Sequence, residues 1–297
     1  MKRAIVLAVA LMGLIATTAA PAAADGHRAA GEAEFCFDAL DQLLTAAANA
    51  RGGVIREKDT GDTPAEVPAS EQGQGGPTFA ATVPVWFHVV SPDGVIGNVK
   101  DSVIQRQMQV LNANFAGTGF TYQLAGITRT VNAAWYELKD TGDEQEMKKT
   151  LRRGGAETLN VYATSGAGFL GWAYFPSTYH SREYIDGIVI DYRSMPGGEY
   201  GREFSLGKTL THETGHWLGL YHTFQGGCNT NGDYVDDTPA MRVPTSGCPE
   251  GKDTCPEPGL DPIHNYMDYS FDSCYTEFSQ GQTARMQDQW LFFRAGL

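Results

Sequence analysis

The sequence predicts an α/β fold of the α+β kind, in which a layered first half is followed by an irregular second half. Three observations predict it. Between Phe79 and Leu220, short β-rich runs alternate with runs of helical period. After Leu220 the periodicity stops, and Gly, Pro, Asp and Cys dominate until a last helical run begins at Gln280. At the seam stands "THETGHWLGLYHTF", residues 211–224, which holds three of the chain's seven histidines.

The elements follow in order. Residues 1–24 read as a secretory signal peptide: Lys2 and Arg3 form the positive start, Ala4 to Ala16 an apolar run too short for a membrane span, and Ala22–Ala24 a small-residue cleavage site. Residues 25–76 read as a pro-segment and linker. Phe35, Leu40, Leu43 and Leu44 have helical spacing before a stop at Gly52–Gly53, and "DTGDTPAEVPASEQGQGGPT" has too few apolar residues to pack and reads as flexible. Residues 77–297 form the globular domain. "ATVPVWFHVV" is a strand, with Pro84 confining its first part to an edge or a start. "DSVIQRQMQVLNANF" is a helix with Asp101 as N-cap and Val103, Ile104, Met108 and Leu111 on one face. "GFTYQLAGITRTV" is a strand, and "GDEQEMKKTLRRGG" a helix stopped by Gly154–Gly155. "TLNVYAT" and "DGIVIDY" are strands flanking "FLGWAYFP", an edge strand, and Leu206 to about Leu218 is the helix that enters the seam.

An apolar content of 42% suffices for a sizeable core. The formal charge is −13, and loss of Lys2 and Arg3 with the signal takes it to −15. Such a surface repels nucleic acid and anionic membranes, so neither is an expected partner, and no later run is long enough for a transmembrane helix. An exported chain can keep disulfides. Four of the five cysteines, Cys228, Cys248, Cys255 and Cys274, lie in the irregular half, where cross-links limit the unfolded states of a segment poor in apolar residues. Their spacing allows three pairings and chooses none. With no C-x-x-C pair, a zinc ribbon is disfavoured.

His212 and His216 are four apart and project from one helical face, the spacing for one zinc ion. Glu213 points beside that metal, where it can take a proton from an activated water. A straight helix would carry residue 222 past the ion; Gly219 can adopt φ > 0 and turn the chain so that His222 becomes the third ligand. The remaining histidines lack partners at ligand spacing, and His88, in an apolar strand, reads as a satisfied core residue.

The extended H-E-x-x-H-x-x-G-x-x-H resembles the metzincin metallopeptidases, and "NYMDYS" resembles their methionine turn. Together with "DDTPA", "GCP", "DTCPEPGLDPIHNYMDYSFDSC" and "FSQGQTARM", the motif resembles the pappalysin family on its microbial, ulilysin-like side, most closely over residues 169–287. The resemblance implies a metzincin-type catalytic domain, with a twisted mixed sheet, backing and active-site helices above a cleft and an irregular, disulfide-linked subdomain below. It implies a secreted zinc endopeptidase acting on proteins or peptides, with the segment around Gly171–Phe175 holding substrate by strand addition. It further implies Met267 as an apolar floor under the metal, Tyr269 as a hydroxyl reaching the reacting carbonyl, and the pairs Cys228–Cys255 and Cys248–Cys274. Bound calcium is also implied, with Asp233, Asp236, Asp237 and Thr238 as candidate ligands in an oxygen-rich loop.

Two further positions follow from the resemblance. Relatives that prefer Arg or Lys after the scissile bond carry an acidic residue directly before the last cysteine; here that position is Ser273, with Asp272 one step away, and a broader preference is expected. Cys36, left without a partner, is a candidate latency residue whose thiolate would block the metal, although its "EFCFDAL" context departs from the family's cysteine-glycine-threonine pattern. The alternatives to a peptidase are a secreted non-peptidase metallohydrolase and a protein-binding module with a vestigial zinc site. Intact Glu213 disfavours the second. The sequence leaves oligomeric state open.

Overall fold

The computed structural model describes residues 55–58, 60–62, 65–228 and 232–297. The expected signal peptide, the Phe35–Leu44 helix and Cys36 lie outside the described residues. Six strands form one sheet in the order β1-β5-β6-β4-β2-β3. They are β1 (Ile55–Glu57), β2 (Ala81–Ser91), β3 (Phe120–Val131), β4 (Leu159–Thr164), β5 (Phe169–Trp172) and β6 (Ile188–Asp191). β2 is parallel to β3 and β4, and β4 to β6; β5 runs antiparallel to β6, and β1 runs parallel to β5. The expected mixed sheet is present.

β2 pairs with β3 from Ala81 but with β4 only from Val85, so Pro84 sits where the strand has one neighbour. The fully buried β4 and β6, "LNVYAT" and "IVID", read as continuous apolar runs because helices cover both faces. On one face α1 (Asp101–Asn114) and the seam helix enclose Phe87, Ile104, Leu111, Leu159, Ile188, Trp217 and Met267 in one cluster. On the other face α2 (Ala133–Glu137) and α3 (Thr141–Leu151) cover Trp135, Met147, Leu151, Tyr162 and Trp172. The seam helix is α4 (Lys208–Trp217), and the chain closes with α5 (Gln280–Phe293). Arg294 then turns inward, fully buried, to pair with Asp186 at 3.0 Å and to donate to the Trp217 carbonyl, tying the last helix to α4.

His88 behaves as expected of a core histidine. It is buried, its Nε2–H donates to Asn160 at 3.0 Å, its Nδ1 accepts from Thr128 at 2.7 Å, and it stacks on Tyr162. Burial lowers its pKa to about 4, so it is neutral.

Two expectations are corrected. Asp101 is not the cap of α1: Lys100 holds the N-cap position, and Asp101, in the first turn, pairs with Arg129 while its charge meets the positive end of the helix. The stretch read as a flexible linker follows a bonded path instead. Asp62 accepts from Phe175 N–H, Glu66 pairs with Arg285 at 2.7 Å, and the N–H groups of Gly73 and Gln74 donate to Asp288. The stretch buries one apolar residue, Val67, and polar bonds made in both directions with the domain fix the rest of this path.

Candidate active site

α4 is positioned from both halves of the molecule. Its N-terminus follows a left-handed Gly207, and the buried Asp272 from the irregular half accepts the N–H groups of Leu206 at 2.8 Å and Lys208 at 3.3 Å. A carboxylate is favoured at that positive end. Asp272 also borders the hollow formed by Leu170, Thr209, His212, Glu213 and Tyr269, and its Oδ2 faces the helix.

The C-terminus of α4 is a Schellman turn. Leu220 N–H donates to Gly215 O and Gly219 N–H to His216 O, with Gly219 at φ +93°. A Cβ on Gly219 would also lie 2.5 Å from Gln289 Cγ. The turn reverses the chain and brings His222 back to the other two histidines. Gly215 is required by packing, since a Cβ there would lie 2.4 Å from the sulfur of Met267, which sits buried directly beneath the helix. Asn265 accepts the Met267 N–H at 2.9 Å and holds that turn, while Thr223 N–H donates to the Met267 carbonyl.

The three Nε2 atoms of His212, His216 and His222 lie 3.1–3.2 Å apart. The Nδ1–H of His212 donates to Tyr266 O at 2.6 Å, and that of His216 to Leu220 O at 2.7 Å. These bonds fix the tautomer, so each Nε2 lone pair faces the shared focus. Burial lowers the pKa of His212, and that of His222 to about 4, which favours the neutral, ligating form. Lone pairs converging at this distance repel unless a cation lies between them. With metal–nitrogen bonds of about 2.0–2.1 Å, a regular tetrahedron has edges of about 3.3 Å, so the trio fits zinc.

The fourth corner of that tetrahedron holds a residue that the sequence reading missed. Glu57 Oε2 lies 2.6 Å from His222 Nε2, 3.4 Å from His216 Nε2 and 3.6 Å from His212 Nε2. It stands where a water or substrate oxygen has to be. The Tyr269 hydroxyl donates to the same oxygen at 3.1 Å. The signal for Glu57 was slight: two β-branched residues, Val54 and Ile55, directly after Gly52–Gly53.

Glu213 is buried beside these groups, and its Oε2 has no hydrogen-bond partner among the described residues. Burial, and then the charge of Glu57, push its carboxyl well above the usual range. Gly171 on β5 lies against it; a Cβ there would be 3.0 Å from Glu213 Oε1.

The disulfides are Cys228–Cys255 and Cys248–Cys274, with Cα atoms 5.5 and 5.6 Å apart, the pairing that the resemblance implies. Two other groups of candidate metal ligands among the described residues, one with His264 and one with Glu257, are built on these bonded sulfurs. Among the calcium candidates, Asp233 and Thr238 are hydrogen-bonded to each other, at 2.7 Å. Asp233 is buried and accepts from the Thr238 hydroxyl and Val235 N–H, Asp237 accepts from Gly281 N–H, and Asp236 is exposed.

Known proteins resemble this chain in sequence and fold. The model of the M43 peptidase family, described as pregnancy-associated plasma protein-A, matches residues 156–290. An extracellular metalloprotease of Pyricularia oryzae is 52% identical over 223 residues, 73% of this chain and 77% of that protein. Mature mirolysin of Tannerella forsythia, solved with a cleaved peptide, is 29% identical with a TM-score of 0.62, covering 71% of this chain and 92% of its own. A promirolysin variant from the same organism is 28% identical with a TM-score of 0.64, covering 73% and 83%. Among the described residues no helix is long and apolar enough to cross a membrane. The chain belongs to the pappalysin family of metzincin peptidases, and it is a secreted zinc metalloendopeptidase.

Proposed function

We propose that His212, His216 and His222 hold the catalytic zinc, that Glu213 is the general base and that Tyr269 steadies the carbonyl oxygen under attack. The convergence of three Nε2 atoms beside a buried, unpartnered Glu213 oxygen carries this reading. Zinc bound there would activate water and polarise a peptide carbonyl. Glu213 takes the proton from the attacking water and delivers it to the leaving amine. The Tyr269 hydroxyl, 3.1 Å from the oxygen at the fourth corner, donates to the developing negative charge. Gly171 lets a substrate backbone approach Glu213 closely, and the outer edge of β5 offers it main-chain hydrogen bonds. Protein and peptide substrates fit this arrangement, and with Asp272 Oδ2 engaged by the start of α4, the preference after the scissile bond is broader than strict Arg or Lys.

The same proposal takes residues 1–24 as signal, 25–76 as a pro-segment removed on activation and 77–297 as the mature enzyme. It includes calcium at the loop that carries Asp233, Asp236, Asp237 and Thr238, supported by the exposed carboxylate of Asp236.

Glu213→Gln tests the assignment. The variant is expected to keep one zinc per chain and to lose peptide cleavage by about 10²–10⁴-fold. Near-normal turnover in the zinc-loaded variant would remove Glu213 from the role. His222→Ala is expected to lose metal on dialysis, and unchanged metal content would remove it from the ligand set.

A further inference from the structure

We propose that Glu57 is a zinc ligand of the unprocessed chain, and that its carboxylate, carried on β1, keeps the enzyme latent by filling both the fourth metal position and the substrate's place on β5. The inference rests on the zinc assignment above. Four donor atoms meet at the focus: Glu57 Oε2 and the three histidine Nε2 atoms. Their six separations run from 2.6 to 3.6 Å and scatter around the edge of about 3.3 Å that zinc–ligand bonds of 2.0–2.1 Å require. Tyr269 donates to the same carboxylate oxygen, so the group that would steady a substrate is engaged as well.

The backbone around Glu57 is held independently of its side chain. Ile55 pairs with Phe169 and Glu57 with Gly171 in parallel register, and Lys58 N–H donates to Gly171 O at 3.3 Å. β1 thus covers the edge of β5 on which a peptide would add. Lys58 is a second anchor. Its ammonium pairs with the buried Glu144 at 3.2 Å and lies 4.6 Å from the ring centre of Trp172, whose indole N–H donates to the other oxygen of Glu144 at 2.8 Å. Adjacent residues therefore insert one negative and one positive side chain into sites of opposite sign. Beyond them the Glu66–Arg285 pair and the bonds to Asp288 keep the segment on the domain surface. The tether raises the local concentration of the carboxylate over that of any free ligand.

The strand escapes hydrolysis for a chemical reason. The group facing the metal is a side-chain carboxylate, which has no leaving amine, and not a main-chain carbonyl. The fourth corner admits one donor, so the assignment sets Glu57 against Cys36.

The experiment uses the full secreted chain in a Glu213→Gln background, so that it does not process itself. Zinc per chain is measured by elemental analysis, folding by circular dichroism, and access to the metal by titration with a fluorescent peptidyl hydroxamate. Cobalt replaces zinc in parallel samples for visible absorption. Glu57→Ala is expected to keep one zinc and bind the hydroxamate about 100-fold more tightly, as release from a 99:1 closed state requires. Its cobalt spectrum should shift because one carboxylate ligand is lost. Cys36→Ala should match the parent in both readouts. Lys58→Ala, which leaves the metal ligands untouched, should bind the hydroxamate about 10-fold more tightly through a loosened strand, and it keeps the test available if Glu57→Ala folds poorly. A folded, zinc-loaded Glu57→Ala chain that binds as weakly as the parent overturns the inference and leaves the zinc assignment standing. So does opening of the site by Cys36→Ala alone. A folded chain that takes up no zinc overturns the metal assignment itself, and the inference with it.

Discussion

The sheet half and the irregular half of this enzyme are built by different means. From Val83 to Leu220 the buried residues are mostly apolar, and strands and helices consume their own backbone hydrogen bonds. Among the described residues from Tyr221 to Ser279 there is almost no regular structure, and many buried side chains are polar: Asp233, Thr245, Asp261, Asn265, Asp268 and Asp272. Apart from Thr245, whose hydroxyl accepts from Lys252 Nζ at 2.9 Å, these bind backbone. Asp261 accepts from Thr254 N–H and pairs with Lys252, Asp268 accepts from Thr245 N–H, and Asn265 holds Met267 N–H. Two disulfides supply the rest. A segment without ladders has to satisfy its buried N–H groups one by one, and short carboxylates and amides do so. The proposed active site needs both designs. Rigid α4 presents His212, Glu213 and His216, whereas the irregular half supplies Met267, Tyr269 and the Asp272 cap, and the chain reversal at Gly219 supplies His222.

The contrast can be broken from either side. Phe87 lies fully buried in the centre of the sheet core, and Phe87→Ala is expected to cost about 3–5 kcal/mol, the transfer free energy plus a cavity. Chemical denaturation should show the loss as a lower midpoint, while the folded fraction keeps its zinc. A cost under about 1 kcal/mol would mean that the sheet core collapses around the gap.

Removing the Cys248–Cys274 bond by paired alanine substitution acts on the other half. The bond closes a span of 26 residues, and the loop entropy released corresponds to about 3.5 kcal/mol. Because Met267 and Asp272 lie within that span, this variant should also lose zinc faster in a chelator than a Phe87→Ala chain compared at equal fraction folded. Equal rates of zinc loss would show that the irregular half does not hold the site.

These differences also explain what was legible in the sequence. β2, β4, β6 and α4 announce themselves by periodicity, because their partners are apolar and the pattern repeats. The convergence of the three histidines was legible because two of them share one helical turn and Gly219 marks the reversal. The disulfide pairing followed from resemblance alone, since spacing cannot distinguish partners in a segment without period. Glu57 was not legible. Its meaning depends on a tertiary contact across 155 or more positions, and nothing in "VIREKD" encodes which edge the strand will meet. The stretch "DTGDTPAEVPASEQGQGGPT" was misread for a related reason: composition does not report which side chains elsewhere in the fold will bond to a segment.

The smallest effect concerns Asp233 and decides what the acidic loop is for. Burial raises its carboxyl from 3.8 to about 6, against the hydrogen bonds from Thr238 and Val235 that lower it. A folded-state value above the unfolded one means that the protonated form is favoured by folding. That contribution is complete below about pH 4 and is lost as pH rises through about 6, so at pH 8 the ionised group costs about 2–3 kcal/mol. A bound calcium ion would reverse the sign, because the ion requires the ionised oxygen. Asp233→Asn keeps the acceptor for Thr238 and removes the charge. In chelator at pH 8 it is expected to melt a few degrees above the parent, and the gain should vanish at pH 4. In millimolar calcium the order should invert, with the parent stabilised and the variant unchanged. If calcium moves neither melting curve, Asp233 is a buried structural acid, and the ion, if bound to this enzyme at all, takes other oxygens.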